Sequence, residues 1–300
     1  MYEPHLSDPF IIDDEHKWNL IERKAQQARA LRAVSLLRQH GIESILIKGV
    51  AAGIYYPSDK LRDCIDVDLA VAKIDYAGAL EITRSAEADG FAIDLHKELR
   101  HLDSVAWPDL MDNSRELNFD GGSIRTLRPE DHLRVLCVHW LTDGGTNRDR
   151  LWDIYYCVEN RPDDFDWDRF LGMVSARRRR WLVCTIGLAH KYLGLDIENT
   201  PVSDLALDLP DWLTTTVERE WAARVKLRPM ENTLNEPTMF IRQVFKRLRP
   251  NPIWATVDLE GDFDARTRVF YQAANFLRRI PSSYLRITNT IKLQRRERRK

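Results

Sequence analysis

Residues 65–71 read Ile-Asp-Val-Asp-Leu-Ala-Val. At strand periodicity Ile65, Val67, Leu69 and Val71 fall on one face, and Asp66, Asp68 and Ala70 on the other. A strand that buries the first face presents two carboxylates one pleat apart. Like charges so close resist ionising unless a cation sits between them, so the pair is a poor choice for folding alone. It suits Mg²⁺, a hard ion that takes one or two protein carboxylates plus substrate phosphate oxygens. The pattern recurs downstream, where Phe91, Ile93 and Leu95 share one face and Ala92, Asp94 and His96 the other. A strand beside the first sets Asp94 next to Asp66 and Asp68. Three carboxylates on one sheet face are what a one- or two-metal phosphoryl-transfer site requires.

In this reading Asp66, Asp68 and Asp94 hold Mg²⁺ or Mn²⁺, and Asp94 receives a proton from the acceptor. Lys48 ends an apolar strand that opens at Ser44, and as a point cation it neutralises phosphate charge. Gly49 lets the backbone approach a ligand closely, and amides at a turn that opens a helix face anions. Arg62 either clamps a phosphate with its fork or pairs with Asp59 or Asp63; the sequence leaves both open. His96 shares the face of Asp94 and either touches substrate, orients Asp94 or is simply hydrogen-bonded. Glu116 is a reserve carboxylate on a strand of its own. Cys64, His139 and Asp153 are read as structural residues.

Lys48-Gly49, Tyr56-Pro57, Arg62 and Asp66-Val67-Asp68 together resemble the nucleotidyltransferase superfamily of the DNA polymerase beta type. The likeness is greatest to a branch of uncharacterised bacterial nucleotidyltransferases. It extends through Asp94-Leu95-His96, Leu127-Arg128-Pro129-Glu130-Asp131 with His139, and Leu151-Trp152-Asp153, so it spans roughly 40–160. Where the wider superfamily has Gly-Ser at the first turn, this chain has Lys48-Gly49, as the branch does. The resemblance implies metal-dependent transfer of a nucleoside monophosphate from an NTP to a hydroxyl or phosphate of an acceptor, with release of pyrophosphate. It names no acceptor. Two other readings remain: a non-catalytic nucleotide-sensing or partner-binding module on the same fold, and a toxin-like enzyme that modifies RNA or tRNA.

The elements around these residues follow from periodicity. Trp18–His40 reads as a helix ended by Gly41. Strand 44–48, a glycine turn and a short helix come next, then the acidic strand, a helix over 75–89 and the Asp94 strand. Segments 116–119 and 123–126 flank Asp120-Gly121-Gly122 as a hairpin. Pro129 sits at the first position of a helix. Helical patterns then dominate, at 129–141, 148–159, 166–178, 180–193, 211–226, 236–248 and 264–279. The expected fold is α/β (α+β): a small mixed-sheet nucleotidyltransferase-like domain over 18–127, then a helical domain over 128–285. A loose arm (1–17) and a basic tail (286–300) complete the chain.

Across 300 residues the apolar fraction is 44% and the net charge −1, which supports a sizeable core and excludes polyanion binding by overall charge. RNA stays open as a partner through local basic segments, the run Arg177–Arg180 at a helix junction and the tail. Four scattered cysteines without CxxC spacing point away from zinc and disulfides. No stretch approaches the roughly 18 apolar residues of a membrane span, and no signal-peptide core opens the chain. The expected setting is cytoplasmic.

Overall fold

The structure, a computed structural model, describes residues 14–85, 88, 90–99, 104–223, 233 and 236–280. The expected arm falls largely, and the basic tail wholly, outside these residues. The elements run α1 (Asp14–Gln39), β1 (Ser44–Leu46), α2 (Val50–Gly53), β2 (Val67–Val71), α3 (Tyr76–Ile82), β3 (Ile93–Lys97) and α4 (Trp107–Asp112). They continue with β4 (Arg115–Phe119), β5 (Gly122–Thr126), α5 (Pro129–Thr142), α6 (Leu151–Glu159), α7 (Trp167–Gly172) and α8 (Ala176–Leu193). The last are α9 (Ser203–Leu207), α10 (Asp211–Ala222), α11 (Pro237–Leu248) and α12 (Pro252–Asp258), followed by helical residues 269–280. Two compact units result. One comprises Met1–Leu136 and Asp153–Val174, the other Cys137–Trp152 and Ser175–Lys300.

The first unit is built on a five-stranded mixed sheet in the order β3-β2-β1-β5-β4. β1 pairs antiparallel with β2 and parallel with β5, and β2 pairs parallel with β3. One sheet face buries Leu46, Val67, Leu69, Val71 and Ile124 against Ala30, Ala33, Val34 and Leu37 of α1 and Ala79 of α3. The α1 residues recur at the three- and four-residue spacing that makes one helical stripe. Each large aliphatic side chain buried there contributes about 1.5–3 kcal/mol. The opposite face is also closed. Ile45, Ile47 and Ala70 pack with Leu99, Val105, Leu110 and Leu127. The carboxylate-bearing face of β2 is therefore buried at Ala70 and opens only towards Asp66.

Several boundaries differ from the periodicity. β2 begins at Val67, so Ile65 does not join the buried face and is 78% exposed. Cys64 takes a place in that core instead, as a packing residue. β3 begins at Ile93, which leaves Phe91 outside it. α3 stops at Ile82, because the Thr83 and Ser85 hydroxyls donate to the Leu80 and Ile82 carbonyls and divert the turn.

The expected helix over 166–178 ends at Gly172. Ser175 then caps α8 by accepting from the Arg178 amide, so Arg177–Arg180 occupy the first turn of α8 rather than a junction. α9 and α12 were not expected. Pro252 starts α12 behind an Asn251 cap. Among the described residues no helix is long and apolar enough to cross a membrane. All four cysteines are buried and none forms a disulfide.

Candidate active site

β1 runs towards Lys48 and its neighbour β2 runs back from Asp66. The pairing continues past the end of β1, where the Ile47 amide donates to the Asp68 carbonyl at 3.1 Å. Gly49 follows at φ 58°, ψ −116°, a conformation that a side chain resists, and α2 starts directly after it. A Cβ at Gly49 would stand 3.5 Å from the Asp66 carbonyl oxygen, an ordinary contact. The backbone angle, rather than crowding, is what asks for glycine. The turn thus closes on the protein's own 64–66 segment.

This geometry sets Lys48 Nζ 2.5 Å from Asp68 Oδ1, with both side chains buried. The parallel register of β2 and β3 pairs Asp68 with Asp94 and Ala70 with His96. His96 Nε2 lies 3.4 Å from Asp68 Oδ1 and 3.1 Å from Asp94 Oδ2. A ring nitrogen between two carboxylate oxygens carries its proton there, because both oxygens only accept. Burial raises the Asp68 carboxyl, but the hydrogen bond from His96 and the charge and hydrogen bond of Lys48 outweigh it. Together they hold Asp68 at about 2. The group grades from buried Asp68 through half-buried His96 to exposed Asp94, so it opens to solvent on one side.

One donor atom each from Asp68, Asp94 and His96 lies within 4.8 Å of the others, close enough to share one metal ion. Two carboxylate oxygens suit Mg²⁺ and Mn²⁺, and the imidazole nitrogen tilts the set towards Mn²⁺. Asp66 is outside this group. It stands exposed one residue before β2. Glu116, the reserve carboxylate, lies on β4 at the opposite edge of the sheet from β3, where its nearest ionic neighbour is Arg125 at 3.8 Å. Sheet order removes it from the site.

Arg62, expected as a phosphate clamp or as a partner of Asp59 or Asp63, is buried against Asp153. Its Nε donates to Asp153 Oδ1 at 3.1 Å and its Nη2 to Oδ2 at 2.9 Å. Burial works against the guanidinium charge, and Asp153 more than restores it. The fork is occupied within the fold, so Arg62 is not available as a phosphate ligand in this arrangement. The Tyr56 hydroxyl donates to the same Asp153 oxygen at 2.7 Å.

Other contacts fasten the rest of the loop. Arg23 on α1 donates to the carbonyls of Pro57, Ser58 and Lys60. Lys60 Nζ reaches the Tyr156 hydroxyl at 2.8 Å, and Asn160 donates to the Tyr55 carbonyl at 2.7 Å. The segment that delivers Asp66 and Asp68 is thus tied to α1 on one side and α6 on the other. Below it His132 is fully buried with Nδ1 3.4 Å from the Tyr55 hydroxyl, and burial pushes its imidazole down to about 4.

The roles of Asp153 and Tyr56 as a paired anchor were missed from sequence. Nothing local links an aspartate on α6 to an arginine 91 positions earlier. Lys48 also has a partner that spacing did not show. The Arg177–Arg180 run belongs to the second unit, and two of its members are engaged there. Arg178 pairs with Glu260 at 2.9 Å, and Arg180 with Asp264 and Asp208 at 3.1 and 3.2 Å. In comparisons with known proteins, a family described as uncharacterised nucleotidyltransferase matches residues 11–194. No curated protein and no solved structure gives a match.

Proposed function

The chain belongs to the uncharacterised nucleotidyltransferase family and is a nucleotidyltransferase, and on that premise we propose a site in which Asp68, Asp94 and His96 hold Mg²⁺ or Mn²⁺. The observation that carries the reading is the set of three donor atoms within 4.8 Å, supplied by two neighbouring parallel strands. The bound metal would supply charge neutralisation at the phosphates and lower the pKa of the attacking group.

The substrates are an NTP and an acceptor bearing a hydroxyl or phosphate oxygen. That oxygen attacks the α-phosphorus, the bond to the bridging oxygen breaks, and pyrophosphate leaves. Asp94, the most exposed of the three ligating residues, faces the acceptor and takes its proton where the acceptor is a hydroxyl. Asp66, two residues before Asp68, faces the triphosphate side. Lys48 and the Gly49 turn neutralise and seat the phosphates. Most of the rate then comes from positioning and electrostatics. A sensor that merely bound nucleotide would not need a third ligand registered against Asp68, which favours the enzyme.

The test is calorimetric titration of each NTP, with and without Mg²⁺ or Mn²⁺, into wild type and Asp68→Asn. Binding that requires metal and vanishes in the variant supports the reading. Equal NTP binding in both proteins, or in the absence of metal, sinks it.

A further inference from the structure

We infer that Lys48 is the site's resident counter-cation, which holds Asp68 until a metal–nucleotide complex displaces it onto the triphosphate. The inference rests on the nucleotidyl-transfer reading above and adds an order to its binding events.

Asp68 is 5% exposed, and an ionised carboxylate so placed is costly unless it is paired. Lys48 Nζ at 2.5 Å supplies the pairing, and it does so on Oδ1. That same oxygen is the one facing His96 Nε2 at 3.4 Å, on the side where a shared metal ion would sit. An ammonium and a divalent ion cannot both stay on it cheaply. Like charges this close repel strongly at a protein-like dielectric, and a divalent ion doubles the effect of a single charge. Bare metal must therefore either displace Lys48 from its buried ion pair with Asp68, or bind against its charge. A polyphosphate removes the conflict, because it brings the anion that Lys48 would lack. The lysine stem has four rotatable carbons and leaves the backbone two residues past the end of β1, next to the Gly49 turn, so a swing needs no sheet movement. The consequence is a site that accepts metal weakly alone and strongly with its nucleotide.

The test uses Mn²⁺ alone and then the Mn²⁺ complex of inorganic triphosphate as probes of the whole chain. Wild type and Lys48→Met are compared, with Lys48→Gln as a second variant should the first fold poorly. Bare Mn²⁺ affinity is read by electron paramagnetic resonance, and affinity for the complex by calorimetry. We expect Lys48→Met to bind bare Mn²⁺ at least about tenfold tighter, and the Mn²⁺–triphosphate complex at least about tenfold more weakly. The thermal midpoint of the variant should be lower without metal and largely restored by Mn²⁺. A purely structural lysine would lower both affinities or neither. Equal or weaker bare Mn²⁺ binding in both variants, with binding intact in wild type, overturns the inference and leaves the metal site standing. Absence of Mn²⁺ binding in every protein overturns the metal site and the inference with it.

Discussion

Arg62 and Asp153 meet as a two-point, fully desolvated ion pair, with both side chains less than 10% exposed, although they lie 91 residues apart in the chain. The pair fixes the loop that runs into Asp66 and Asp68 against α6. Removing one partner of a buried pair leaves the other charge stranded, which typically costs about 3–5 kcal/mol. Asp153→Ala is therefore expected to lower unfolding free energy by about that much, whereas Tyr56→Phe should cost about 1 kcal/mol. Urea denaturation checks both. A loss below about 1 kcal/mol for Asp153→Ala would show that the loop is held by other contacts.

The two acids of the Asp-Val-Asp stretch should separate by assay. Asp68 belongs to the ligand group and Asp66 stands outside it. Asp68→Asn is expected to abolish Mn²⁺ binding and nucleotidyl transfer together. Asp66→Asn should leave bare Mn²⁺ affinity within about twofold while still stopping turnover, since its role lies on the triphosphate side. Mn²⁺ titration alongside pyrophosphate release distinguishes them. Loss of bare Mn²⁺ binding in Asp66→Asn would return Asp66 to the ligand set.

His96 should behave as a ligand rather than a spectator. His96→Ala is expected to weaken Mn²⁺ binding by about tenfold or more, and to weaken Mg²⁺ less, because an imidazole nitrogen matters less to the harder ion. Glu116→Gln, at the far edge of the sheet, should change neither. Reversed behaviour of these two variants would move the site to another part of the sheet.

Stability should fall with acid through His132. Its folded value of about 4 lies below the ordinary 6.5, since burial disfavours the imidazolium. Between those two values the unfolded chain binds the extra proton and the folded chain does not. The stabilising contribution is therefore complete above about pH 6.5 and is lost as pH falls towards 4. The window corresponds to about 3 kcal/mol. Thermal midpoints across pH 7 to 4 should drop less steeply in His132→Gln than in wild type, and parallel curves would remove His132 as the cause.

Gly49 carries its own prediction. At φ 58° and ψ −116° an alanine is strained by about 1–3 kcal/mol whatever the space around it. Gly49→Ala should lower the thermal midpoint and shift the Lys48 turn, weakening nucleotide binding more than bare Mn²⁺ binding. Nucleotide titration of the variant tests that difference.

Local rules carried much of this protein in the sequence itself. Two-residue alternation placed Val67, Leu69 and Val71 in the core and Asp68 on the other side. The same rule gave β3 its phase, so Asp94 and His96 could be matched to Asp68 before any coordinates. Pro129, the Asp120-Gly121-Gly122 turn and the Lys48-Gly49 turn likewise mark their elements by conformational preference at single positions. What lay beyond the sequence was pairing across distance. Strand order set Glu116 at the far edge of the sheet, and β2 beginning at Val67 left Asp66 outside the group of three donor atoms. Folding alone decided that Arg62 spends its fork on Asp153 and that Lys48 is already bound to Asp68. A side chain's charge and reach are written locally, but its partner is set by which elements become neighbours. That depends on packing summed over the whole domain, and no window of the chain contains it.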